Sequence, residues 1–310
     1  MACAQVLEAI ELLDRPVWGA EVASSLRRSG LDVEVTSVEG DRGRTDFLTM
    51  TIPGTSGASA GGDSPTTGIV GRLGGIGARP EAIGLVSDGD GAVAAVATAL
   101  ALGRSASRGD RLPGDVVIAT HVCPEAPTEP HEPVRFMGTP VSMEVMNQHE
   151  VRPEMDAVLS IDATKGNRIL NWRGIAITPT VLDGWILPVS PDLVDVYEHV
   201  CGMPARVLPL SIYDITPYGN DLYHVNSILQ PSAAADVPTV GIAITAETAV
   251  PGSSTGASQP GDIALAASYA IEVAKRFATG RLRFYDEDGY QEALRRYGSL
   301  RHLKSMGLEE

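Results

Sequence analysis

Three apolar runs of this chain each lead into an acid where the sequence turns polar: Gly84-Leu-Val-Ser-Asp88, Val116-Val-Ile-Ala-Thr-His-Val-Cys-Pro-Glu125 and Ala157-Val-Leu-Ser-Ile-Asp162. An apolar run of about four to eight residues, closed by turn residues, reads as a strand covered on both faces. Between these runs lie stretches with helical spacing, among them the Ala-rich 92–102 and the amphipathic 262–278. Strands alternating with helices specify a three-layer α/β fold, a mostly parallel mixed sheet with helices on both faces. Ligands of such sheets bind beyond the carboxyl ends of strands, and that is where the acids fall.

The same patterns place the other elements. Helices are expected over 4–13, 17–29 (with Pro16 at its first turn), 193–200, 222–229 and 286–298. Strands are expected over 31–38, 47–52, 67–72, 82–86, 116–120, 157–161, 174–178 and 239–244, with 206–212 extended. Residues 53–80 are rich in Gly, Ser and Pro and read as a loop region, and 121–155 as a polar loop. No linker or repeat divides 1–310, so a single domain is expected.

Composition narrows the class of function. Hydrophobic residues at 44% supply a sizeable core. A net charge of −15 disfavours nucleic acid, which needs a basic face. No apolar run reaches the ~18 residues that span a bilayer, so no membrane partner is expected. The N-terminal stretch lacks the basic n-region of a secretory signal. Cys3, Cys123 and Cys201 are odd in number and unevenly spaced, which suits a reducing cytoplasm rather than a disulfide framework. The expected partner is a small-molecule substrate.

Four pieces carry chemistry. Asp88 and Asp90 sit where a strand ends and a helix begins, as helix caps or as carboxylates for a cation or a proton. His121 and Glu125, delivered to the same rim, suit acid–base work. Asp162 follows a wholly apolar strand and must be hydrogen-bonded, metal-bound or solvated. Asp221 and His224, three apart at an expected helix start, share a face. In addition Pro251–Gly261 is a small-residue loop opening a long helix, so Ser253, Ser254 and Thr255 could cradle an anion. The Gly-rich Gly71–Gly77 lacks the strand–turn–helix context of a dinucleotide fingerprint.

Taken in order, these pieces resemble the di-zinc exopeptidase superfamily, the aminopeptidases and carboxypeptidases of the glutamyl aminopeptidase type, over roughly residues 80–280. Asp88 in SDGDGAVAAVATAL matches the strand-end Asp that bridges two zincs in that family. Glu125 matches one member of its Glu pair, and Asp162 in LSIDAT its acid after a strand. The segment GNDLYHVN…ADVPTVGIAIT resembles the stretch in which an Asp and a small-residue helix precede an Ile/Val-rich strand. Both zinc-binding His positions are missing: no His precedes His121, and Thr245–Gly256 contains none. The pattern as a whole is also identified with a bacterial domain-of-unknown-function family.

The resemblance implies a zinc-exopeptidase-like scaffold with a degenerate metal site, acting on a peptide-like or amino-acid-derived small molecule. If zinc or another divalent metal is bound, Asp88 and Asp162 hold it with His121 or His224, and Glu125 activates water for amide hydrolysis. With no metal cofactor, Glu125, His121 and Asp88 are the acid–base set. The chemistry then suits elimination or intramolecular ring closure to a small N-heterocycle such as an aziridine, in natural-product biosynthesis. In a third alternative the chain is a non-catalytic subunit. A homo- or hetero-oligomer with a related chain is expected in each case.

Overall fold

The computed structural model describes residues 2–78, 84–132, 134–165, 169–250 and 254–307. It opens with helices α1 (Cys3–Leu13) and α2 (Gly19–Arg28), then the hairpin β1 (Asp32–Gly40) and β2 (Gly43–Ile52). Next come β3 (Thr67–Gly71), α3 (Asp90–Ser107), β4 (Val116–Val122) and the two-residue strands β5 (Thr128–Glu129) and β6 (Phe136–Met137). The chain continues through α4 (Met143–Glu150), β7 (Ala157–Ala163), β8 (Gly174–Ile177), β9 (Val181–Leu182), β10 (Trp185–Ile186) and α5 (Pro191–Cys201). It ends with α6 (Pro231–Ala234), β11 (Thr239–Thr245), α7 (Pro260–Ala278) and α8 (Glu287–Tyr297). No helix among the described residues is long and apolar enough to cross a membrane.

The sheet runs β1-β2-β4-β3-β7-β11, with β8 and β9 both on β11 and β10 beyond β9. Its centre, β4-β3-β7-β11, is parallel, and its flanks are antiparallel. Every residue of β3, β4 and β11 is buried, as strands covered on both faces require. Alternation sends Ile69, Ile118, Leu159, Ile161 and Ile242 to the face under α1, α3, α5 and α7. It sends Val70, Val117 and Val158 to the other face, against Met155 and Ala235, on the side where α4 and α6 pack.

The strand order fixes where a ligand can sit. After β3 the chain crosses through α3 to β4 on one side; after β7 it reaches β11 on the other. The winding therefore reverses between β3 and β7, and the crevice beyond their carboxyl ends is the natural binding place of such a sheet.

Small residues set how closely α3 approaches that crevice. A Cβ on Gly91 would lie 1.8 Å from the carbonyl oxygen of Arg72 and 2.5 Å from that of Ile161. Both atoms are backbone, so neither can swing away. Gly91→Ala is expected to destabilise by about 3 kcal/mol through overpacking, read as a lower urea midpoint with an unchanged slope. An unchanged midpoint would mean that α3 can slide away from β3.

Several expectations need correction. The polar stretch 121–155 contains the helix α4, and 222–229 is turns and coil rather than a helix. Helix α2 begins at Gly19, so Pro16 precedes it instead of starting it. The expected strand 82–86 lies partly outside the described residues, and its described part, 84–86, is not a strand. Strand β7 runs on through Asp162, which is a strand residue and not the first one after a strand.

Candidate active site

Two groups of polar side chains meet at the β3/β7 crevice. The first lies deep. Arg72, directly after β3, is fully buried. Its Nη1 is 3.1 Å from Glu150 Oε2, and its Nη2 donates to Asn147 Oδ1. Asn147 and Glu150 stand three apart on α4, hence on one face. That helix starts at Ser142, whose hydroxyl accepts the amide of Val145 at 3.3 Å. Glu150 Oε1 is 2.7 Å from His121 Nδ1, and the Gly74 amide donates to His121 Nε2 at 2.9 Å. An amide can only donate, so Nε2 accepts and the ring proton sits on Nδ1, donated to Glu150. The buried charges of Arg72 and Glu150 are paired with each other, while Arg72 Nε has no hydrogen-bond partner.

The second group lies nearer the rim. Asp88 is in the single 3₁₀ turn Ser87–Gly89, and Asp90 opens α3. Lys165, three residues past Asp162, donates through Nζ to Asp90 Oδ2 and to the carbonyl of Ala257 at 3.0 Å. Asp162 accepts the Ala163 amide at 2.7 Å on Oδ1 and the Ser227 hydroxyl at 2.6 Å on Oδ2. Burial raises the proton affinity of all three carboxyls. Asp88 is held well above the ordinary range by burial and then by the charges of Asp162 and Asp90, with Lys165 opposing. Asp90 is raised by burial against the pull of Lys165. Asp162 is pushed up to about 6 by burial, against the bonds from Ser227 and Ala163 and the charge of Arg72.

The residues expected to form the site are distributed as follows. Asp88 and Asp162 come together, with Asp90 beside them. Thr255 joins them through its backbone, its carbonyl accepting the Ser87 amide at 2.7 Å. Ser254 is buried, its hydroxyl spent on the carbonyl of Arg135, and Ser253 lies outside the described residues. His121 is near, and both of its ring nitrogens are engaged, Nε2 by the Gly74 amide and Nδ1 by Glu150. Glu125 is exposed and paired through its backbone with Ala78. Asp221 is exposed with φ 62°, and His224 turns its nitrogens to Leu222 and Thr216 of its own loop. Neither stands on a helix.

Arg72, Asn147, Glu150, Lys165 and Ser227 are not singled out by the sequence. Basic residues at strand ends carry as much signal as acids: Arg72 follows the small and apolar run Thr67–Gly71, and Lys165 follows Asp162 by three. Glu150 was hidden because α4 has eight residues, of which only Met146, Asn147 and Glu150 are buried, so no apolar stripe announces it.

Residues 36–307 match the family described as "Protein of unknown function (DUF1177)". The chain belongs to DUF1177. No curated protein matches it in sequence. Among solved structures, the DUF1177 chain is similar to the bottromycin maturation enzyme BotP in complex with Mn, with TM-score 0.53 and 16% identity over 88% of this chain and 71% of that one. It is also similar to an M17 aminopeptidase from Trypanosoma brucei, with TM-score 0.51 and 12% identity over 86% of this chain and 61% of that one. At these identities the likeness is of fold, and the fold is a peptidase-like α/β scaffold.

The manganese of BotP poses the question whether the DUF1177 cluster fits a divalent ion. Such ions need several oxygen or imidazole donors free to converge. Among the described residues no three His, Cys, Asp or Glu side chains do so. Asp90 gives an oxygen to the Lys165 ammonium, and both oxygens of Asp162 are taken by donors. In this arrangement Lys165 stands in their midst, and Asp90 Oδ1 is left without a hydrogen-bond partner.

Proposed function

We propose that this chain is an enzyme that cleaves an amide or peptide-like bond of a small amino-acid-derived molecule, using protein acids and bases at the β3/β7 crevice. The observation that carries the reading is the Lys165–Asp90 pair beside Asp88 and Asp162. Burial and the charges of Asp162 and Asp90 favour the protonated form of Asp88, the form that can hand a proton to a leaving amine. Asp162, raised to about 6, is ionised near neutrality and can take one. Two carboxyls whose surroundings separate their proton affinities are the means of running acid and base steps together. The Lys165 ammonium favours negative charge that develops beside it. The peptidase-like scaffold of the structural neighbours supports amide chemistry.

Elimination or ring closure on an amino-acid-derived substrate is the second reading. It is favoured by the same proton on Asp88, which can protonate a leaving group where no water is consumed. The test is hydrolysis of dipeptides and aminoacyl p-nitroanilides by the purified protein in EDTA. Hydrolysis is expected to persist with the chelator and to fall on the order of 100-fold in Asp88→Asn. Activity that vanishes with EDTA and returns with manganese would overturn the reading. Substrate turnover without uptake of water would favour elimination.

A further inference from the structure

The loop before α6 is built to present one hydroxyl. Asp214, buried, accepts the amides of Val225 at 2.8 Å and Asn226 at 3.1 Å. Gln230, also buried, accepts the Tyr218 amide at 3.1 Å and donates to the carbonyl of Thr216 at 2.7 Å. These anchors fix the loop that carries Tyr218 and Ser227. Ser227 is half-buried at the start of the turn into α6, where its carbonyl accepts the Gln230 amide at 2.9 Å.

The Ser227 hydroxyl donates to Asp162 Oδ2 at 2.6 Å, and Asp162 is itself held by the Ala163 amide at 2.7 Å. A hydroxyl on a carboxylate that a third group orients is the arrangement of an activated nucleophile. Asn226, the preceding residue, keeps a buried Nδ2 without a hydrogen-bond acceptor. Such an unspent donor is uncommon inside a protein.

We infer that Ser227 is a nucleophile, with Asp162 as its general base, for acyl transfer from small amides or esters. The inference rests on the amide-cleaving reading above and names the group that attacks. Ser227 Oγ bonds to the carbonyl carbon while its proton passes to Asp162. The C–N bond then breaks, the leaving nitrogen takes the proton of Asp88, and an acyl-serine remains. Water attacks the ester and gives its proton to the now ionised Asp88, while the departing serine oxygen takes back the proton held by Asp162, which releases the acid and restores all three groups.

The probe is an alkyl fluorophosphonate, from which a serine nucleophile displaces fluoride. One adduct per chain is expected on Ser227 by peptide mass mapping. It should be absent in Ser227→Ala and form on the order of 100-fold more slowly in Asp162→Asn. No adduct, an adduct elsewhere, or equal labelling rates in Asp162→Asn would overturn the assignment, and the wild-type map decides even if a variant misfolds. EDTA-resistant hydrolysis as fast in Ser227→Ala as in the wild type would remove the nucleophile and leave the acid–base reading standing. Hydrolysis that depends on manganese, with Ser227 still labelled, would do the reverse.

Discussion

Glu150→Ala is expected to lower stability by about 3–5 kcal/mol, the cost of removing one partner of a buried ion pair. That is a large part of the roughly 5–15 kcal/mol by which a domain is stable. Arg72 stays charged, because a guanidinium does not give up its proton in a protein. It is fully buried, and Asn147 and the Met143 sulfur are then its remaining side-chain hydrogen-bond partners. His121 loses the acceptor of its Nδ1 proton at the same time. Replacing both charges, as in Arg72→Met with Glu150→Leu, should recover much of the loss, since apolar pairs of similar volume often do as well as buried ions. Urea unfolding followed by far-UV circular dichroism measures both. A loss under about 1 kcal/mol in Glu150→Ala would show that Arg72 reaches another carboxylate or water once Glu150 is gone.

That network shows what a sequence can and cannot disclose. The central strands were legible because a strand covered on both faces is a mostly apolar run, and β4, β7 and β11 are wholly or almost wholly buried runs of this kind. Asp88 and Asp162 were legible because an acid directly after a short apolar stretch stands out, although 84–86 is not a strand and β7 continues through Asp162. The partners of those acids were not. Lys165 and Arg72 are ordinary residues in sequence, and their role comes from the reversal of winding between β3 and β7, which puts 72 and 162 side by side. The surroundings of His121 were hidden for the same reason: expected in the polar loop after a strand over 116–120, it lies within β4, and Gly74 and Glu150, which occupy its two nitrogens, are 47 and 29 residues away. The pair Asp221 and His224 misled differently, because their spacing fits a helix that the loop, anchored by Asp214 and Gln230, does not form.

Asp162→Asn is expected to make the protein more stable and less reactive at once. The folded protein binds the Asp162 proton more tightly than the unfolded chain does, about 6 against an ordinary value of 3.8. Between those values the folded state holds more protons, so stability falls as pH rises through that window. Below it Asp162 costs nothing. Above pH 6 the fold carries the whole penalty, about 3 kcal/mol for a carboxyl this deeply buried. Asparagine removes the charge and keeps the shape: its oxygen can still accept the Ala163 amide, and its NH₂ can donate to Ser227. The variant should therefore match the wild type near pH 3.5 and exceed it by up to about 3 kcal/mol at pH 7.5, measured as unfolding free energy across pH. A gap that is flat with pH would assign the change to packing and would remove Asp162 as a strained carboxylate. Function tends to retain groups that cost stability, and this one also carries the Ser227 hydrogen bond. A stabilised Asp162→Asn that loses hydrolysis and fluorophosphonate labelling would place stored strain and chemistry on the same carboxylate, whereas a stabilised variant of undiminished reactivity would separate them.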